Sequence, residues 1–385
     1  RRRRAVVDRQ RQLREHHLAA DADALGVGVA ELVGAAQLLD QVVRHRLARL
    51  VVLREHLEHL GVAHPLLEHL RRRLDEVRLG ADAADAQPLV VDYYKGKVAV
   101  AHNGQLTNAK RLREEFEANG SIFHTTSDTE VIVHLMAKPL NMIQKSLSLV
   151  LQHLKGAFSL LFLTPGEMVG VRDPHGFRPL ALGKLNDGYV LASETCAFDQ
   201  VGAEYIRDVQ PGEAVYIGKD GLRSEIYCPQ KNIKPAFCIF ELVYFSRPDS
   251  KIYGESVHMF RKRLGAKLAE ESPVSADVVI SVPEGGNSSA IGYSHASGIP
   301  FDRGFIRNHY VGRTFTLPEQ DRRHRFVELK LNALKETVDG KRVIVIDDSI
   351  VRGTTSKSRF GLLRKAGAKE IHVRISCPPH RYPCY

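Results

Sequence analysis

Residues 342–355 read Arg-Val-Ile-Val-Ile-Asp-Asp-Ser-Ile-Val-Arg-Gly-Thr-Thr. Val343 to Ile346 are β-branched on both faces, so they predict a strand buried on both sides, the habit of a parallel sheet. Two carboxylates, Asp347 and Asp348, close that strand at its C-terminal end, where open α/β sheets bind ligands. A loop of small and hydroxyl residues then leads into a helix predicted over 354–365. The free N–H groups and dipole of such a helix start suit a phosphate. Ser349, Thr354 and Thr355 add hydroxyl donors, and the two acids can accept from sugar hydroxyls or sit close to Mg²⁺. A lone Asp-Asp would read as acids before an ordinary turn. The whole ordered string is far more specific.

The first 85 residues have a different texture. They use ten residue types only, and Lys, Ile, Phe, Tyr, Met, Cys, Ser, Thr, Asn and Trp are missing, whereas the chain from Ala86 onward lacks only Trp. The ten are those whose codons can all begin with G or C, which a GC-rich gene read in the wrong frame or strand would produce. The competing reading is a basic helical extension, since Leu recurs at helical spacing over 10–19 and 50–78. With no aromatic anchor and almost no capping residue, the segment is expected to be non-native and without function.

At 385 residues, two domains are expected. A 43% apolar, 26% charged composition is that of a globular protein. No run approaches the roughly eighteen apolar residues of a spanning helix, and the start at Arg1–Arg4 lacks a signal-peptide core. Five cysteines (Cys196, Cys228, Cys238, Cys377 and Cys384) are too few for a disulfide framework and point to a reducing, cytoplasmic setting. The net charge of +10 is compatible with nucleic acid or with a phosphorylated small ligand.

From Ala86 the pattern predicts a strand over 97–101 ending at Asn103-Gly104. Helices follow over 108–118, 129–137 and 147–154, then short strands over 157–163, 168–172, 179–182, 189–192, 214–217 and 222–226. This is an α+β order. A polar stretch over 228–235 with two prolines marks a boundary. Beyond it a helix over 257–271, a strand over 277–282, a helix over 288–296, and the strands 342–346 and 370–376 around the helix 354–365 give an alternating α/β rhythm.

The 347–355 string resembles the 5-phosphoribosyl-1-pyrophosphate (PRPP) motif of type I phosphoribosyltransferases. Its continuation Ser-Ile-Val-Arg-Gly-Thr-Thr resembles the amidophosphoribosyltransferase family, the glutamine PRPP amidotransferases. Ser281-Val282-Pro283-Glu284-Gly285-Gly286-Asn287 is similar to that family's pyrophosphate loop, and residues 307–315 (Arg-Asn-His-Tyr-Val-Gly-Arg-Thr-Phe) to its flexible loop, with His309 where Arg is common. Residues 240–250 and Lys330-Leu331-Asn332 also match. The resemblance implies a PRPP site built from Asp347, Asp348, Ser349, Arg352, Gly353, Thr354, Thr355, Glu284, Gly285, Gly286, Arg307 and Lys330. Arg313 would stabilise the leaving pyrophosphate. It implies Mg²⁺ at Asp347 and Asp348 and near Gly286, a position where the family often carries a hydroxyl.

Residues 101–108 (Ala-His-Asn-Gly-Gln-Leu-Thr-Asn) and 125–130 (Thr-Thr-Ser-Asp-Thr-Glu) resemble class II glutamine amidotransferases, and residues 172–180 add a further match. By that resemblance, Asn103 and the N–H of Gly104 form the oxyanion hole for amide cleavage, and Asp128 holds the glutamine α-amino group. Read on their own, the motifs are equally an Asn-Gly β-turn and a helix cap at Ser127 or Asp128.

The implied architecture is α/β and α+β in two domains. A partial N-terminal-nucleophile glutaminase (αββα) over 86–230 precedes a type I phosphoribosyltransferase parallel-sheet domain over 231–385, with 1–85 outside both. The implied activity is a pentosyl transfer that opens purine synthesis: glutamine gives ammonia, which passes through an internal channel and displaces pyrophosphate from PRPP to give 5-phosphoribosylamine. The family's nucleophile is an N-terminal Cys. Here residue one is Arg1 and the first cysteine is Cys196, so the glutaminase half is expected to be inactive and transfer to depend on ammonia. Cys238 and Cys384 match two ligands of a 4Fe-4S cluster found in one branch of the family, the other two lying beyond Tyr385. Feedback by purine nucleotides and a homo-oligomer are implied; membrane and nucleic-acid partners are not. Two other readings remain: a non-catalytic PRPP-binding regulator, and a salvage phosphoribosyltransferase, which would need a base-binding hood in place of 86–230.

Overall fold

The computed structural model describes residues 85–94, 96–137, 147–308, 331–350, 353–379 and 381, together with the backbone of Val52–Leu53. The chain divides into two compact units, Arg1–Phe237 and Cys238–Tyr385. The division falls a few residues beyond the 230/231 boundary expected from composition.

In the first unit the strands Leu89–Tyr93, Gly96–Leu106, Gly156–Leu163, Glu167–Arg172, Glu213–Gly218 and Gly221–Ile226 form one antiparallel sheet. The strands Ala181–Leu185, Gly188–Ala192 and Glu204–Asp208 form a second, edged by Val52–Leu53. Alternation along the strands sets the layers. Ala99, Ala101, Leu161, Leu163, Val215 and Ile217 turn one way and pack with Leu182 and Leu191 of the second sheet. Val98, Val100, Phe158, Leu160 and Phe162 turn the other way and meet Leu112, Phe116, Val131, Ile132 and Leu151 of the helices Ala109–Ala118, Thr129–Ala137 and Leu147–Leu151. The far face of the second sheet packs Val190 and Ala192 on Phe198 of the short helix Cys196–Val201. The order is helix, sheet, sheet, helix, the αββα layering expected. Each fully buried Leu or Phe in it contributes roughly 1.5–3 kcal/mol.

Two expectations are corrected here. The first long strand continues to Leu106. Asn103-Gly104 therefore lies inside a strand, paired with Ser159 and Phe158, and is no hairpin turn. The third helix ends at Leu151, three residues early, because Gln152 and His153 form a turn before Gly156. Sequence reading also missed the strands Leu89–Tyr93 and Glu204–Asp208, which are short and only partly buried.

In the second unit the strand Arg342–Asp347 is the centre of a parallel sheet between Val278–Ser281 and Glu370–Ile375. Val343 and Val345 face Leu363 of the helix Thr354–Lys365, while Ile344 and Ile346 face Ala290 and Tyr293 of the helix Asn287–Ser297 and Ala269 of the helix Val257–Glu271. Both faces are covered, as four successive β-branched residues require. Ser256 caps the helix Val257–Glu271, its hydroxyl accepting from the Met259 amide. A five-residue π-helical turn, Glu241–Phe245, precedes it and was not foreseen. Phe305–Arg307 pairs antiparallel with Leu331–Ala333.

Candidate functional site

The second unit assembles its candidate site at the C-terminal ends of its parallel strands. Asp347 and Asp348 are both buried, at 4% and 7% exposure. The Asp347 carboxylate accepts from the Asp348 amide (3.0 Å) and from Arg359 Nη1 (3.0 Å). Asp348 accepts from Ser349 Oγ at 2.6 Å. Burial, and next the neighbouring Asp348 charge, push Asp347 up to about 6 despite Arg359. Asp348 is also raised, again chiefly by burial, with the Ser349 hydroxyl opposing. Gly285 touches this pair from the turn after Val278–Ser281: a Cβ there would lie 1.8 Å from Asp348 Oδ2. The loop can close on the acids because the residue has no side chain. Gly286 is held by its amide on Val282 O, and Arg307 Nη1 stands 3.9 Å from Glu284 Oε1. Gly353, with φ 72°, caps the helix Thr354–Lys365, and Thr354 and Thr355 provide the backbone of its first turn. Arg352, Arg313, Lys330, His309 and Cys384 lie outside the described residues.

Two adjacent buried carboxylates are donors of the kind Mg²⁺ takes, since that small hard cation is usually held by one or two carboxylates with substrate phosphates and water. Gly286 brings no side chain to it. Of the two cysteines matched to an iron–sulfur cluster, Cys238 falls among the described residues and Cys384 does not. Cys238 is partly exposed, and among the described residues no three of His, Cys, Asp and Glu gather as a metal set.

The first unit orders a second constellation at the Leu106 end of its long strand. The Asn103 amide is oriented from both sides: Arg178 Nε and Nη2 donate to its Oδ1 at 2.9 and 2.7 Å, and its Nδ2 donates to Ser193 Oγ at 3.1 Å. Arg178 is itself placed by the 172–178 turn, where Arg172 donates to the carbonyls of Gly176 and Arg178 and Asp173 accepts from the amides of Phe158, His175 and Phe177. Asp128 accepts from the Leu106 amide at 2.8 Å and lies 3.4 Å from His102 Nδ1. Burial works against its charge, but the His102 bond and the Leu106 amide outweigh it and hold Asp128 below the usual carboxylate range. The Asp128 carboxylate is thus engaged by the strand Gly96–Leu106. Ser127 Oγ accepts from the Thr129 amide.

The loop bearing Asp128 is organised by a residue that sequence reading passed over. Buried Glu130 accepts from the amides of His124 and Thr125 and from Thr125 Oγ1, at 2.8–2.9 Å. Glu130→Gln turns one acceptor into a donor against these groups. It is expected to cost about 2 kcal/mol, with faster hydrogen exchange at the His124 and Thr125 amides as the readout; unchanged protection there would show that Glu130 does not hold the loop.

The chain is similar to known proteins over most of its length. Residues 72–200 match the family model for a glutamine amidotransferase domain. Over 312 residues the chain is 49% identical to the amidophosphoribosyltransferase of Bacillus subtilis (strain 168), covering 80% of this chain and 64% of that protein. It is 50% identical over 308 residues to amidophosphoribosyltransferase 1, chloroplastic, of Arabidopsis thaliana, covering 78% and 53%. A solved structure of glutamine PRPP amidotransferase from B. subtilis, complexed with ADP and GMP, superimposes with a TM-score of 0.72 at 50% identity, over 78% of this chain and 66% of that one. Over about four fifths of its length the chain is similar to amidophosphoribosyltransferases. It spans between about half and two thirds of the length of these relatives. The amidotransferase-domain match begins at residue 72, inside the low-diversity segment, and structure agrees at its edge. Asp85 accepts from the amides of Thr126 and Ser127 at 2.8 and 3.1 Å. Among the described residues no helix is long and apolar enough to cross a membrane.

Arg178, Ser193, Glu130 and Arg359 were not singled out from sequence. Arg178 and Glu130 stood inside strings that had been noticed, so proximity to a motif was their signal. Ser193 and Arg359 had none.

Proposed function

We propose that the chain catalyses amidophosphoribosyl transfer: ammonia displaces pyrophosphate at C1 of PRPP, giving 5-phosphoribosylamine, with glutamine as the nitrogen source of the parent reaction. The observation that carries the reading is the buried acid pair closing the central parallel strand, with Gly285 against it and a helix start beside it. In this reading Asp347 and Asp348 accept from the ribose hydroxyls. The backbone of the Gly353–Thr355 turn receives the 5-phosphate. Gly285, Gly286 and Arg307 face the pyrophosphate, joined by Arg352, Lys330 and Arg313. Mg²⁺, held by Asp347 and Asp348, would offset charge on the leaving group. In the first unit Asn103, its Oδ1 anchored by Arg178, offers Nδ2 toward an oxyanion together with the Gly104 N–H, and Asp128 takes the glutamine ammonium. Purine nucleotides are the expected feedback ligands, in line with the ADP and GMP of the solved relative.

The test supplies PRPP and Mg²⁺ with either ammonium chloride or glutamine and follows pyrophosphate release. Ammonium reports on the Cys238–Tyr385 unit and glutamine on both units. Pyrophosphate release with ammonium is expected; no release with either source, from folded protein that also fails to bind ribose 5-phosphate, would refute the assignment.

A further inference from the structure

We propose that Arg359 is a built-in counter-cation of the acid pair, which keeps a divalent metal from settling on Asp347 and Asp348 until a sugar phosphate brings one. The proposal rests on the sugar-phosphate reading and deepens it. Its basis is a tethered guanidinium where a free metal would bind. Arg359 Nη1 donates to Asp347 Oδ2 at 3.0 Å, and that carboxylate is buried, where charge attraction is little screened by solvent. The residue belongs to the second turn of the helix Thr354–Lys365. Helical side chains lean toward the N-terminus of their helix, here the end that faces the acids.

A second, independent observation points to a ligand. Arg359 Nε is buried and has no hydrogen-bond acceptor among the described residues. A buried N–H of this kind is costly, and an oxygen-rich ligand lying over the acid pair would supply the missing acceptor. Arg261, the other guanidinium close enough to act on Asp348, donates to the carbonyls of Leu242 and Ser246. It is fixed in place, so Arg359 is the adjustable cation.

Two adjacent buried carboxylates need a positive partner. A bare hydrated dication must compete with Arg359 and also lose water, which Mg²⁺ does reluctantly. A dication already bound to a diphosphate arrives as part of an anion, which the guanidinium attracts. The order of binding is thereby biased toward metal and substrate together.

The experiment titrates the whole 385-residue chain with Mn²⁺ in the absence of any sugar phosphate, following free Mn²⁺ by electron paramagnetic resonance. Arg359→Gln and Arg359→Met are expected to bind Mn²⁺ about tenfold more tightly than wild type, and Arg359→Lys, which keeps the charge, to stay near wild type. Should a variant be poorly folded, the thermal shift caused by Mn²⁺ gives the same comparison, since metal would restore the missing charge and raise Tm more than in wild type. Equal or weaker Mn²⁺ binding by both neutral variants would overturn the proposal. Ribose 5-phosphate binding, measured by calorimetry in parallel, separates the two ideas: its absence in every protein sinks the sugar-phosphate reading, while the Mn²⁺ comparison still reports on Arg359.

Discussion

Asp348→Asn is expected to lower ammonium-dependent turnover and ribose 5-phosphate affinity by roughly 10²–10³-fold while leaving the second unit as stable as wild type or more so. On the proposed reading, the two acids are placed for a ligand at the expense of the fold. They are adjacent and buried; burial raises both, and the Asp348 charge makes Asp347 harder still to ionise. The neutral amide keeps its carbonyl oxygen for the Ser349 hydroxyl and removes one charge beside Asp347. The pH dependence follows the same logic. Asp347 titrates at about 6 in the fold against an ordinary 3.8. The native state therefore binds this proton more tightly than the unfolded chain. The stability it lends is fully present below pH 4 and is lost as pH rises through about 6, a change of at most about 3 kcal/mol. Urea unfolding at pH 5 and pH 7 should show a smaller difference for Asp348→Asn than for wild type. A variant that binds ribose 5-phosphate like wild type would remove Asp348 from the site.

Gly104→Ala is expected to destabilise the first unit by about 3–5 kcal/mol, enough to lower its melting temperature by roughly 10 °C. An alanine Cβ would stand 2.0 Å from the Ala157 carbonyl oxygen and 2.8 Å from its carbon, at φ 155°. Both atoms are backbone of the neighbouring strand, so relief requires the strands Gly96–Leu106 and Gly156–Leu163 to part. Gly166→Ala, where nothing stands within 4 Å of the added carbon, serves as control and should stay within about 0.5 kcal/mol of wild type. A thermal melt of Gly104→Ala that matched this control would mean that the strand pair yields easily and that the glycine is there for another reason.

The elements that sequence reading placed best were those with a strong local cause. Thr129–Ala137, Val257–Glu271 and Thr354–Lys365 are helices with the predicted ends, because turn-forming or small residues bound their apolar spacing. The strand Arg342–Asp347 follows from four β-branched residues that can be buried only between two layers. Asn103-Gly104 misled because the same dipeptide serves a tight turn or, as here, a strand whose neighbour passes too close for a side chain. Only the pairing with Ser159 and Phe158 tells these apart.

The order of residues alone determined the two-part chain, the parallel sheet with its terminal acids and the family resemblance, since these depend on periodicity and on residues close together in the chain. Tertiary structure decided which partners complete them. Arg178 reaches Asn103 across 75 positions, Ser193 across 90, and Arg359 returns twelve positions to Asp347. A hydrogen bond depends on distance and direction in space, which no local pattern encodes, so the groups that orient the amide and offset the buried carboxylates came into view only when the chain was folded.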